Sequence, residues 1–175
     1  SPDRSNLKGG PLPTWIWGPD ANQQYVLTYE FDGGSKNAWL KASSDNQMTL
    51  FVNGQRVASS DEWQQPVEVD IQKHLQPGKN VLRAEVANAG GIAAFACKLA
   101  LSMPDDTVRY VVSNEKWSAT EKSEPDQQVA IKSHGTMGVS PWGDVFSKPI
   151  GLVARDRDIF NVPDGFQVEL LYTVP

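Results

Sequence analysis

The sequence predicts an all-β chain folded as an antiparallel β-sandwich or jelly roll. Three observations carry that expectation. Short runs alternate apolar with polar residues, glycine-rich turn dipeptides separate them at roughly 8–12-residue spacing, and only one stretch has helical character. At 175 residues the chain is long enough for one well-filled core.

The elements follow in order. Residues 1–14 carry Pro2, Gly9, Gly10, Pro11 and Pro13 and read as an extended lead-in. Strands are expected at 25–31 (YVLTYEF), 37–43 (NAWLKAS) and 47–53 (QMTLFVN), with Asp32-Gly33-Gly34 as the turn between the first two. Asn53-Gly54 closes the third into a hairpin, because both positions tolerate positive φ and match the strand twist. Met48, Leu50 and Val52 then share one strand face, and Val57 belongs to the returning strand. After VEVDI (67–71), IQKHLQ (71–76) is a short helical turn stopped by Pro77. Further strands are expected at 80–88 (NVLRAEVAN), 92–102 (IAAFACKLALS), 108–113 (VRYVVS), 117–120 (WSAT) and 128–132 (QVAIK). Cys97 is the single cysteine, so no internal disulfide forms. It shares parity with Phe95, Leu99 and Leu101 and reads as a small buried hydrophobe. Residues 121–150 are rich in Gly, Ser and Pro and read as a long loop anchored by Trp142. Beyond Pro149 the chain reaches an apolar strand at 167–173 (QVELLYT) with nothing after it. The expected organisation is a sandwich module over 1–148, with 149–175 as linker and first strand of a following domain, cut from a longer chain.

Composition narrows the function classes. Apolar residues make up 39%, charged residues 21%, and the net charge is −5, which leaves no basic stripe for nucleic-acid phosphates. No apolar run nears the roughly 18–20 residues of a membrane span. Neither nucleic acid nor membrane is an expected partner.

In an antiparallel meander the loops sort by end. One end gathers Trp17-Gly18-Pro19-Asp20, Asp45-Asn46, Asp61-Glu62-Trp63 and Asn88 to Gly91, while the other holds mostly glycine turns. Polar and aromatic residues concentrated on loops at one end of a rigid scaffold point to function there.

The order of motifs resembles a family. An early WIWG, then SSDNQMTLFVNGQRV, DEWQQP and VDIQKHLQPGKNVLRAEVANAGG, is similar to galactose-binding-like β-sandwich modules, in particular the amino-terminal modules of bacterial α-L-rhamnosidases and related secreted glycan-active proteins. Trp117 and Pro141-Trp142-Gly143 fit the same pattern, which covers roughly residues 14–147. The resemblance implies a secreted or periplasmic bacterial protein. The tail VPDGFQVELLYTVP resembles the opening of the β-propeller in large secreted bacterial haem proteins, some of which carry a c-type cytochrome; no Cys-x-x-Cys-His occurs in this chain.

The resemblance also implies a site. An acidic pair at this turn helps hold a calcium ion that contacts sugar hydroxyls in the rhamnosidase-type modules, and Asp45 and Asn46 match that position. Calcium takes six to eight hard oxygens, and Asp20, Asp61, Glu62 and Asn88 are donors expected at the same end. The pair also suffices for an Asx-type turn with no metal. Trp63, in a polar loop with Asp61 and Glu62, could stack on the apolar face of a sugar or fold back to cap the core. Trp39 and Lys41 oppose Ala38, Leu40 and Ala42 on their strand, as Arg83 and Glu85 oppose Leu82, Ala84 and Val86. If these strands are neighbours, the four make an outward platform, a second sugar surface, unless the 121–150 segment covers it. Trp15, Trp17, Trp117 and Trp142 read as structural anchors.

Catalysis finds little support. His74 and His134 lack metal-ligand spacing, no nucleophile elbow, phosphate loop or HExxH occurs, and nothing singles out a carboxylate pair. The expected function is a non-catalytic carbohydrate-binding module recognising a glycan through loops at one end of the sandwich. The alternative is a structural module that packs on an adjacent propeller domain without binding glycan.

Overall fold

The computed structural model describes residues 4–147. The expected linker and strand over 149–175 lie outside the described residues. Twelve strands are present: β1 (Thr14–Trp17), β2 (Tyr25–Asp32), β3 (Asn37–Asp45), β4 (Gln47–Val52), β5 (Gln55–Ser60), β6 (Val67–Asp70), β7 (Lys79–Ala87), β8 (Ala94–Ser102), β9 (Val108–Val112), β10 (Ser118–Glu121), β11 (Glu124–Val129) and β12 (Lys132–Thr136). They form two antiparallel six-stranded sheets. The first runs β12-β1-β8-β3-β6, with β9 also on β8; the second runs β11-β10-β2-β7-β4-β5.

This is a sandwich whose chain crosses repeatedly between layers, not a meander. β2 lies in the second sheet, β3 in the first, β4 and β5 in the second, β6 in the first and β7 in the second. Antiparallel pairing still alternates strand direction, so the sorting of loops by end survives. Hydrogen bonds between loops confirm it. At the upper end Asn88 Nδ2 donates to Ala21 O at 3.0 Å, and at the lower end Gly33 N–H donates to Gly78 O at 2.8 Å.

The core follows from strand parity. Leu27 of β2, Leu40 of β3, Leu50 of β4, Leu82 of β7, and Cys97 and Leu99 of β8 all point between the sheets and are fully buried. Cys97 is the small core residue its parity predicts, and burial pushes its thiol pKa well up. The Asn53-Gly54 hairpin forms as expected, with φ of 50° and 81° and Val52 facing Gln55. It is buttressed by the fully buried Asn80. Its Oδ1 accepts from Asn53 Nδ2 at 2.8 Å and from the Gln76 N–H at 2.8 Å, and its Nδ2 donates to Gln76 O and Gly78 O.

Three elements differ from expectation. The lead-in contains a 3-10 turn at Ser5–Lys8 and ends in β1. The expected strand 128–132 is split, because β11 pairs with β10 in the second sheet and β12 with β1 in the first. The 121–150 loop instead supplies β11, β12 and a segment folded over the outer face of the first sheet. Lys41, almost fully buried on that face, donates to Phe146 O at 2.7 Å and pairs with Glu68 at 2.9 Å. The lead-in covers the same face: Lys98 Nζ bonds Gly9 O, Tyr110 Oη donates to Asn6 O at 3.0 Å, and Arg4 pairs with Glu68 at 3.3 Å. The first sheet is thus dressed on its outside, whereas the second sheet keeps an open hollow.

Candidate functional site

The upper end is built from loops locked to one another by side chains. β3 terminates at Asp45, whose side chain shares parity with Trp39, Lys41 and Ser43 and so lies toward the covered outer face. It is 8% exposed, and its Oδ2 accepts the indole N–H of Trp142 at 3.0 Å. Among the described residues Oδ1 has no hydrogen-bond partner. Trp142 stacks on Trp15 with ring centroids 4.9 Å apart, and His134 meets it edge-on at 5.6 Å. Burial, with Lys132 adding to it, lowers the pKa of His134.

Asn46 connects this turn to the next loop. Its N–H donates to Ala87 O at 3.3 Å, and its Oδ1 accepts the Ala89 N–H at 2.8 Å. Asn88 adds bonds from Nδ2 to Ala21 O and Gly91 O, the latter at 2.9 Å. Beneath the Ala21 loop, Tyr25 Oη accepts the Asp20 N–H at 2.9 Å, and Gly18 allows the close approach. A Cβ at Gly18 would lie 2.2 Å from the Tyr25 ring. Asp45, Asn46 and Asn88 are therefore brought together on one fixed frame. Asp20 sits in the same loop system, where its Oδ1 accepts the Asn22 N–H at 2.8 Å.

The other expected residues scatter around this frame. Trp63 is half-buried and packs against the Trp15–Trp142 cluster, while its carbonyl accepts from Ser43 Oγ at 2.6 Å. Glu62 is exposed, with Oε1 taking the Gln64 N–H at 3.0 Å in a local turn. Asp61 lines a hollow on the second sheet. The platform joining Trp39, Lys41, Arg83 and Glu85 does not form, because β3 lies between β6 and β8 in the first sheet and β7 between β2 and β4 in the second. Trp39 is half-buried on the first sheet, its indole N–H buried and without a partner among the described residues. Arg83 is on the opposite layer, bonded to Glu85 Oε1 at 3.1 Å with its guanidinium 4.2 Å above the Phe51 ring.

The hollow was not legible as a unit. It has a volume of about 550 Å³ and is lined by residues of β4, β5 and β7 and by Gln24, Asp61 and Lys122. Thr49, Glu85 and Ser59 point into it by strand parity. Among the described residues, no group of three or more His, Cys, Asp or Glu side chains gathers in a way that could hold a metal.

No protein-family model matches the chain. An alpha-L-rhamnosidase of Streptomyces avermitilis is 27% identical over 177 residues, covering 86% of this chain and 17% of that enzyme's length. The crystal structure of Streptomyces avermitilis alpha-L-rhamnosidase complexed with L-rhamnose superposes with a TM-score of 0.68 at 26% identity, over 76% of this chain and 15% of that one. A lectin from Pleurotus ostreatus in complex with GalNAc superposes with a TM-score of 0.69 at 22% identity, over 79% of this chain and 46% of the lectin, a likeness of fold.

Proposed function

We propose, from the premise that the chain is a rhamnosidase-like, galactose-binding-like β-sandwich module, that it is a non-catalytic carbohydrate-binding module whose ligand docks on the upper loops. The observation that carries this reading is the locking of the Asp45-Asn46 turn and the Asn88 loop to one another and to their surroundings, by bonds to Trp142, Ala89, Ala21 and Gly91. A preorganised set of polar groups spends little entropy on binding. Solved relatives of this fold hold L-rhamnose and GalNAc, and those two sugars are the natural first probes. In a secreted bacterial multidomain protein such a module raises the effective concentration of an attached domain at a polysaccharide.

The donor chemistry fits a calcium ion. Trp142 fixes Asp45 through Oδ2 and leaves Oδ1 without a partner among the described residues, while the amide oxygens of Asn46 and Asn88, in the same loop system, each accept one backbone N–H and keep a second lone pair. One carboxylate is too few for a closed cage, so backbone carbonyls and ligand hydroxyls would complete the six to eight oxygens. Calcium bound there would supply a Lewis-acidic anchor for sugar hydroxyls. Calcium and sugar should therefore bind cooperatively, each tightening the other by the same factor.

Titration calorimetry with L-rhamnose and GalNAc, with calcium and with chelator, tests the reading. The expected result is heat of binding for at least one sugar in calcium, lost on Asp45→Ala. Absence of binding by either sugar and by a wider glycan array would remove it. A second reading, a module docked on a neighbouring domain, draws on the Lys41–Phe146 contact that seats residues 145–147 on the first sheet. It expects no glycan retention by the unmodified chain.

A further inference from the structure

The hollow on the second sheet adjoins the frame around Asp45 through Gln47 and Ala87 but lies on the outer face of the other layer, and its chemistry is different. It stretches from Gln24 and Lys122 across β7 and β4 to Arg56 and Ser59 on β5. From β2 to β5 is three interstrand spacings, about 14 Å. Its volume of about 550 Å³ falls inside the ~300–1,000 Å³ typical of ligand sites. A second depression of about 340 Å³, lined by Asn22, Gln23, Gln24, Lys122 and Ser123, shares Gln24 and Lys122 with it and prolongs the groove. These dimensions suit several linked sugars better than one.

The charges select the kind of sugar. Glu85 is already matched by Arg83 at 3.1 Å, and Arg83 is further committed to the face of Phe51. Lys122 reaches the other Glu85 oxygen only at 4.0 Å, with its side chain 53% exposed. Arg56 is exposed and bonds the neutral Ser59 hydroxyl at 2.7 Å, so its guanidinium charge is uncompensated. Asp61 is the remaining carboxylate on the rim. Arg56 and Lys122 stand against Asp61 and Glu85 on the lining, and Arg83 on Glu85 leaves one positive charge in excess, on a chain of net charge −5. Among the described residues no aromatic ring lines the hollow, so they give a neutral sugar no stacking surface there, whereas a carboxylate matches the guanidinium fork.

We propose that this groove is a second carbohydrate subsite, taking an oligosaccharide that bears a uronate carboxylate. Carboxylates of successive uronate units pair with Arg56 at one end and Lys122 at the other, while Gln24, Gln47 and Thr49 bond the sugar hydroxyls. The glycan class rests on the carbohydrate-binding reading above, but the site, its residues and its independence of calcium are distinct.

The test is calorimetric titration of the full chain with trigalacturonate and, as the neutral control, maltotriose, in chelator. The expected result is trigalacturonate binding that survives chelator and Asp45→Ala, falls at high salt, and weakens about tenfold or more in the Arg56→Gln/Lys122→Gln double variant. Both substituted residues are exposed, and circular dichroism verifies that the variant remains folded. Absence of trigalacturonate binding, equal binding of maltotriose, loss in chelator, or unchanged affinity in the double variant would each overturn the proposal. If trigalacturonate binds as expected while no neutral sugar binds in calcium, the upper-loop reading fails alone.

Discussion

Asp45 Oδ2 accepts the indole N–H of Trp142 at 3.0 Å, joining residues 97 apart in sequence. The bond does two things at once. It pins the segment after β12 onto the first sheet, and it orients a carboxylate at the upper end so that one oxygen remains for another partner.

Trp142→Phe keeps the stack on Trp15 but removes the donor. Hydrogen bonds to charged groups contribute ~1.5–3 kcal/mol, so urea unfolding should register a loss of that order. The freed Asp45 side chain should also bind calcium more weakly, measured by calorimetry. An unchanged unfolding midpoint would deny the bond its structural role.

Gly18→Ala introduces a Cβ that would lie 2.2 Å from the Tyr25 ring, which is itself fully buried. Overpacking at such a site costs about 1–3 kcal/mol. The expected outcome is a lower thermal midpoint with faster amide exchange in the 18–22 loop.

Asn80→Leu tests the lower end. It deprives the Gln76 N–H of its acceptor and leaves Asn53 Nδ2 only its bond to His74 O at 2.9 Å. Asn80 is fully buried and its side chain makes four hydrogen bonds, so chemical denaturation should read a destabilisation of about 1–3 kcal/mol, with sugar affinity per folded molecule unchanged.

His134 supplies a pH dependence. Burial and Lys132 lower its pKa in the folded state below the ordinary 6.5, so the unfolded chain binds the proton more readily. Stability from this residue is therefore fully present above that ordinary value and is lost as pH falls toward the lowered one. His134→Gln should flatten the stability profile over that acidic window, followed by urea unfolding at a series of pH values.

Much of the sandwich was legible because half-buried strands alternate. β2, β4 and β7 declare their core faces residue by residue, and Asn53-Gly54 declares its turn. β1 and β12 were hidden for opposite reasons. Trp15-Ile16-Trp17 is apolar without alternation because Trp15 packs in the outer cluster while Ile16 packs in the core, and KSHGT is almost wholly polar. Parity placed Trp39 and Arg83 outward correctly but carried no information on which sheet each strand joins. The groove was partly readable from Thr49 and Glu85. Its far wall depends on the irregular register after Leu50, which leaves Val57 unpaired and sets Arg56 opposite Phe51.

The most direct test of carbohydrate binding at the upper loops is a nitrogen-15 NMR titration of the chain with a panel of monosaccharides in calcium. A binding sugar should shift the backbone amides of Asn46, Ala89 and their neighbours, chelator should reverse the shifts, and the lower-end amides of Gly33 and Gly78 should stay in place. Unmoved amides at Asn46 and Ala89 with every sugar, or shifts confined to the lower end, would contradict it.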